Sequence, residues 1–176
     1  MNLLNQPLEE FLQRLTSQLA EERVDVSRYE MDHVCYRVDS LTRYEMLAHA
    51  WRLYASDTHE SLVGGRPISV FVLDRPLFRL GRSIAVLELP APKKGSPYPE
   101  GWEHAEFVID EPFETFMARH SHLVFDIKSI GKELNPELGL KLGHGLQVKF
   151  HHQPLARIIQ IEREKGLALP NRSALD

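Results

Sequence analysis

Polar and apolar residues alternate with a period of two in two stretches of the chain, and the two stretches read alike. Asp32-His33-Val34-Cys35-Tyr36-Arg37-Val38-Asp39 is echoed 71 residues later by Glu103-His104-Ala105-Glu106-Phe107-Val108-Ile109-Asp110. Both run acid, His, small apolar, any, aromatic, any, β-branched, Asp. The alternation predicts a β-strand in each case. Val34, Tyr36 and Val38, or Ala105, Phe107 and Ile109, form the face a strand turns to a covering helix. His33, Cys35 and Arg37, or His104, Glu106 and Val108, form the face that suits a concave wall open to water or a ligand.

The rest of the chain extends the repeat. Residues 7–22 predict an amphipathic helix, with Leu8, Phe11, Leu12, Leu15 and Leu19 at helical spacing and Pro7 in its first turn. This helix has no later counterpart. After the first strand, Leu41, Tyr44, Leu47, Ala48 and Trp51 predict a helix over 40–55, with Ser40 as its N-cap. Strands are expected at 61–63, 68–73 and 84–89, with Asp74-Arg75-Pro76 turning the chain. Four prolines and two glycines over residues 90–101 mark an extended joint. Beyond it come a strand at 103–109, a helix at 111–120, strands at 123–127 and 146–150, and an apolar run at 156–161 read as the closing strand. Residues 128–144 are expected to be loop. Residues 68–77 and 146–155 also align, with Pro-Leu at the same place in both. The expectation is an α+β fold. Two tandem β-α-β-β-β modules related by pseudo-two-fold symmetry form a curved, cup-like mixed sheet, with an added N-terminal helix. As one domain over 1–176, it divides into a helical extension (1–29), a first module (30–90), a Pro-rich linker (91–101), a second module (102–165) and a C-terminal tail (166–176).

Composition narrows the classes. A net charge of −4 with scattered Lys and Arg gives no electrostatic reason to expect a nucleic-acid partner. A single cysteine excludes an internal disulfide and suits a reducing compartment. The N-terminus lacks the pattern of a signal peptide, and no apolar run reaches membrane-spanning length. The expectation is a cytoplasmic protein, monomer or homodimer, with a small polar molecule as substrate or ligand and no membrane partner.

The repeat also places chemistry. A pseudo-two-fold axis brings His33 and His104 towards each other across the cup. The last strand of each module is expected to end on a carboxylate, Glu88 in Val86-Leu87-Glu88-Leu89 and Glu162 in Gln160-Ile161-Glu162. Two imidazoles and two carboxylates make a donor set for Zn, Ni, Fe(II), Mn or Co. Arg37, Glu106 and Gln160 share faces with these residues and are candidates to hold a polar substrate, or to bridge one another in internal salt bridges. A strand histidine is also a common hydrogen-bonded structural residue, and Glu162 is equally readable as the first solvated residue after its strand. His151 and His152 are adjacent, which points them to opposite faces and suits surface placement. His144 reads as a turn residue, Cys35 as a small wall residue and Lys93-Lys94 as solvated linker.

Taken together these segments resemble the vicinal-oxygen-chelate superfamily, which includes glyoxalase I, extradiol dioxygenases and the bleomycin-resistance proteins, and more closely its bacterial YecM family. His33 through Val38 is similar to the first strand of glyoxalase I, with a His ligand and an Arg four residues on. Ala85 to Leu89, a loop, and His104-Ala105 resemble that enzyme's next two ligands, and Glu162 falls at the last carboxylate. The resemblance covers residues 30–165. It implies a divalent metal on His33, His104, Glu88 and Glu162, a substrate chelating it through neighbouring oxygens, and Glu162 or Glu88 as general base. Isomerase or lyase chemistry goes with four ligands, and oxygenase chemistry with the triad His33, His104 and Glu162. The alternatives are a small-molecule binding or sequestering protein using the same cup, with Glu88 paired to Arg37, and an adaptor whose N-terminal helix or linker meets another protein.

Overall fold

A computed structural model describes residues 8–95 and 99–166. The expected Pro7, part of the linker and nearly all of the C-terminal tail lie outside these residues. Twelve elements follow in order: α1 (Leu8–Glu21), β1 (Glu30–Arg37), α2 (Leu41–Arg52), β2 (Ala55–Val63), β3 (Arg66–Arg79), β4 (Arg82–Pro90), β5 (Gly101–Val108), α3 (Phe113–Arg119), β6 (Phe125–Asp126), β7 (Leu138–Lys141), β8 (Gln147–His151) and α4 (Leu155–Glu164). All eight strands join one curved, open sheet in the order β2-β3-β4-β1-β5-β8-β7-β6. β1 pairs with β4 in parallel and β5 pairs with β8 in parallel, while β1 and β5 meet antiparallel at the centre. The fold is therefore two β-α-β-β-β units about a pseudo-two-fold axis, as the repeat predicts.

One face of the sheet carries the core. Val34, Tyr36, Phe71, Leu87, Ala105, Phe107, Val148 and Phe150 meet the apolar stripes of α1, α2 and α3 there. Leu8, Phe11, Leu12, Leu15 and Leu19 of α1 are all buried. That packing explains why a helix outside the repeat is held to the domain. Ser40 caps α2, its Oγ accepting the Arg43 N–H at 3.3 Å. At the seam between the units, Trp51 stacks on Trp102 at 6.1 Å and meets Tyr36 and Phe71 edge-on. The β2–β3 hairpin closes through Gly64 and Gly65, at φ 59° and 78°, the double positive-φ turn that only glycine enters freely.

Several expectations are corrected. The turn at Asp74-Arg75-Pro76 is an irregular bulge inside the fourteen-residue β3, where Pro76 costs no ladder bond, and the chain reverses at Leu80-Gly81 instead. The 123–127 strand shrinks to the two residues of β6. The presumed loop 128–144 contains β7, whose Leu138 and Leu140 are buried while Gly139 faces Asp126. Residues 156–161 form helix, not strand. Leu155, Ile158 and Ile159 follow i, i+3, i+4 spacing, and the place beside β5 that a closing strand would take is filled by β8. The structural counterpart of β8 is thus β4, so the alignment of 68–77 with 146–155 is not the repeat that the sheet uses.

α4 lies on the opposite, concave face. Leu155 and Ile159 pack on Val70, Val72, Ala85 and Val86. Arg163 forms a two-pronged bond to Asp57 at 2.7 and 2.8 Å, tying the helix to edge strand β2. Among the described residues no helix is long and apolar enough to cross a membrane.

Trp51 joins α2 to strands of both units. Trp51→Ala is expected to cost about 3–5 kcal/mol, seen as a lower urea midpoint with unchanged slope. A loss under about 1 kcal/mol would show that the aromatic seam does not hold the units together.

Candidate functional site

Two β-bulges build the centre of the cup. Along β1 and β5 the register runs Met31↔Phe107, then His33↔Glu106, so Asp32 is an extra residue on β1. It runs Cys35↔His104, then Tyr36↔Trp102, so Glu103 is an extra residue on β5. A regular strand sends an acid and the His after it to opposite faces. The bulge relaxes that rule and re-aims the side chains. Asp32 Oδ2 thereby reaches His33 Nδ1 at 2.8 Å, and Glu103 Oε2 reaches His104 Nδ1 at 2.9 Å. Each acid fixes its imidazole and leaves Nε2 facing the cup, the arrangement that orients metal-bound histidines.

The two Nε2 atoms converge on one carboxylate. Glu106 Oε1 lies 3.1 Å from His104 Nε2 and 3.4 Å from His33 Nε2. Glu88 Oε2 lies 3.9 Å from His33 Nε2. Lys149 Nζ donates to Glu106 Oε1 at 2.6 Å. His151, with Nδ1 bonded to the Gln153 carbonyl at 2.6 Å, brings Nε2 to 3.4 Å from Asp32 and 3.7 Å from Glu106 Oε2. His33 and Glu106 are each only 1% exposed.

This concentration of charge shifts the groups in a consistent way. Burial alone would raise the Glu106 carboxyl, but Lys149, His33 and His104 outweigh it and hold it well below the ordinary range. Burial would lower His33, but Glu106 and Asp32 outweigh it and hold the ring well above its usual value. Burial likewise works against the Lys149 ammonium, and Glu106, Glu137 and Glu88 raise it in spite of that. Burial pushes the Cys35 thiol up, which suits a wall residue.

His33 Nε2, Glu106 Oε2 and His151 Nε2 are buried without a hydrogen-bond partner. An unmet buried polar atom costs about 1–3 kcal/mol, and these three lie together. His33, His104 and Glu106 place donor atoms within 4.8 Å of one another, as do Asp32, His33 and His151. The donor chemistry fits a divalent ion. Buried His/Asp/Glu clusters of this kind could bind a metal.

The expected residues separate accordingly. His33 and His104 come together, with ring centroids 6.4 Å apart. Glu106 joins them as their common partner instead of standing at a distance. Glu88 lies on the same floor. Arg37 faces the cup with Nε bonded to Glu103 at 2.5 Å. Glu162 and Gln160, placed on a strand by the sequence reading, lie on α4. Glu162 accepts from His59 Nε2 at 2.8 Å on the cup wall, and Gln160 is exposed and bonded to Arg157. Among the described residues, no group of converging donor atoms includes Glu88 or Glu162. Lys149 was not anticipated, His151, expected at the surface, is fully buried, and His59 was not anticipated either. The signal for the first two was the alternation of β8, where Val148 and Phe150 turn to the core and Lys149 and His151 turn away.

A cavity of about 320 Å³ opens above the floor. Arg37, Glu88, His104 and Lys149 line its base, and His59 and Glu162 line its wall beside α4.

Comparison with known proteins fits this geometry. The YecM protein family matches residues 1–162. The chain belongs to the YecM family. Protein YecM of Escherichia coli is 30% identical over 104 residues, covering 58% of this chain and 55% of that protein. An uncharacterized protein of Haemophilus influenzae is 35% identical over 103 residues, covering 55% and 51%. The chain thus spans about half the length of the curated relatives it matches. A solved structure described as structural-genomics protein EC4020 superposes with a TM-score of 0.74 at 23% identity, covering 88% of each chain. That likeness shows the fold.

The site's electrostatics can be tested through Glu103. Burial would raise its carboxyl, but His104 and Arg37 bring it down from 4.5 to about 2. A lowered folded value stabilises the protein above the unfolded value and is lost as pH falls. Glu103→Gln is therefore expected to be less stable than wild type near neutrality. The gap should close as pH falls from 4.5 towards about 2. Denaturant melts across that window check it, and a gap independent of pH would sink the assignment.

Proposed function

We propose that this protein is a divalent-metal-dependent enzyme of the vicinal-oxygen-chelate type, an isomerase, lyase or oxygenase acting on a small polar substrate. The observation that carries this reading is the pair of acid-anchored imidazoles, His33 and His104, aimed at the single carboxylate of Glu106. In this reading His33, His104 and Glu106 hold the ion, and the three orphaned buried atoms supply reasons for one to be there. The set has the two-histidine, one-carboxylate composition of open metal sites. A bound divalent ion supplies Lewis-acid stabilisation of negative charge on a substrate oxygen.

The chain's own residues do the rest. Asp32 and Glu103 set the tautomers of the two histidines. Glu88, on the floor beside His33 and outside the converging set, is the carboxylate placed to move a proton to or from the substrate. Arg37, steadied by Glu103, faces the cavity and donates to a polar oxygen of the substrate. α4 walls the cup and keeps bulk water from the floor. Glu162 serves this wall through His59.

A second reading has its own observation. Lys149 already puts a positive charge against Glu106, so the site can be balanced with no ion, as a binding cup without catalysis needs.

Elemental analysis of untagged protein decides between them. Wild type is expected to hold about one divalent ion per chain, and His33→Ala, His104→Ala and Glu106→Gln almost none. Asp32→Asn, which keeps the imidazole but loses its anchor, should weaken metal affinity by about 10–100-fold. Wild type that is metal-free and takes up no Zn, Ni, Fe(II), Mn or Co would falsify the enzyme reading and leave the binding cup.

A further inference from the structure

The two units are not chemically equivalent, and the difference falls at one position. Beside β1, Glu88 of the parallel strand β4 pairs with Cys35, two residues after His33. Beside β5, Lys149 of the parallel strand β8 pairs with Glu106, two residues after His104. Lys149 therefore stands where the pseudo-two-fold axis carries Glu88, with the charge reversed. One flank of the histidine pair is a carboxylate and the other an ammonium.

An ammonium has three N–H donors and no lone pair, so it cannot ligate a metal. One donor goes to Glu106 at 2.6 Å, and Glu137 lies further off at 3.8 Å. The side chain keeps 25% of its exposure and lines the base of the cavity beside His104. Part of the wall is apolar, with Val70, Leu134, Leu155, Ile158 and Ile159 facing the same space, and Arg66 and Lys132 also line it. At about 320 Å³ the cavity is at the small end of the roughly 300–1,000 Å³ range of ligand pockets.

We propose that Lys149 is the specificity-determining residue of the site and that it selects a carboxylate. The substrate class is a 2-hydroxy or 2-oxo carboxylic acid with a short apolar body. Its carboxylate meets Lys149, its neighbouring oxygen lies over the histidine pair, and its apolar end lies against α4. The inference rests on reading the cup as the functional site proposed above, and it names what enters it.

Calorimetric titration with two probes tests it. Mandelate and 1-phenyl-1,2-ethanediol share a phenyl ring and neighbouring oxygens, and differ in the carboxylate. Wild type is expected to bind mandelate at least about tenfold more tightly than the diol, the scale of one charge-assisted hydrogen bond. The preference should persist after chelator treatment, vanish in Lys149→Met, and be largely kept in Lys149→Arg. Because K149M strands a buried carboxylate, the double variant E106Q/K149M carries the test if the single variant does not fold. Mandelate binding no tighter than the diol in wild type, no mandelate binding at millimolar concentration, or a preference that survives loss of Lys149 each overturns the inference. Metal-free protein that keeps a Lys149-dependent preference would sink the metal reading and leave this one standing.

Discussion

The site depends on the antiparallel pairing of β1 with β5. Among the described residues that ladder is where the two units share backbone hydrogen bonds, and both histidines stand on it. Its two bulges are related by the pseudo-axis, one on each strand, and each inserts an acid before a histidine. A slip of one residue by either strand in this register would turn its imidazole into the helix-packed core. The bulges make such a slip costly because each acid finds its partner in one register alone. The feature that steers the imidazoles therefore also fixes the sheet.

Around that ladder the protein concentrates charge in a place that excludes water. Asp32, Glu88, Glu103 and Glu106 are set against Lys149, Arg37 and the histidines. Desolvation opposes the charged forms of Glu106, His33 and Lys149, and mutual pairing overrides it in each. Such a network is far from the least costly way to fill an interior, since an apolar core of similar volume carries no desolvation penalty. Its presence on the concave face, while the other face is packed with aromatic and aliphatic residues, separates the two jobs of the sheet. One face stabilises and the other holds the charged cluster.

Much of this was legible in the sequence, for identifiable reasons. The duplicated acid-His strand, the helix at 41–52 and the N-terminal stripe each carry a strong period, and the structure follows them. The acids before the histidines were visible as part of the echo, but strict alternation assigns them to the wrong face. Only the bulges, set by cross-strand register, bring them to the imidazoles. The reading failed where the second unit diverges. Leu155–Ile161 is apolar and β-branched enough to read as a strand, and local composition cannot reveal that β8 already fills the place beside β5. Once that strand was misplaced, Glu162 was matched to Glu88, Lys149 went unnoticed one strand earlier, and the buried His151 was assigned to the surface.

The first backbone N–H of α4, at Leu155, donates to Asp32 Oδ2 at 2.9 Å, the same oxygen that holds His33. Helix and histidine are thus two readers of a single atom. Displacing the helix and releasing the imidazole would therefore both break a bond at one shared oxygen.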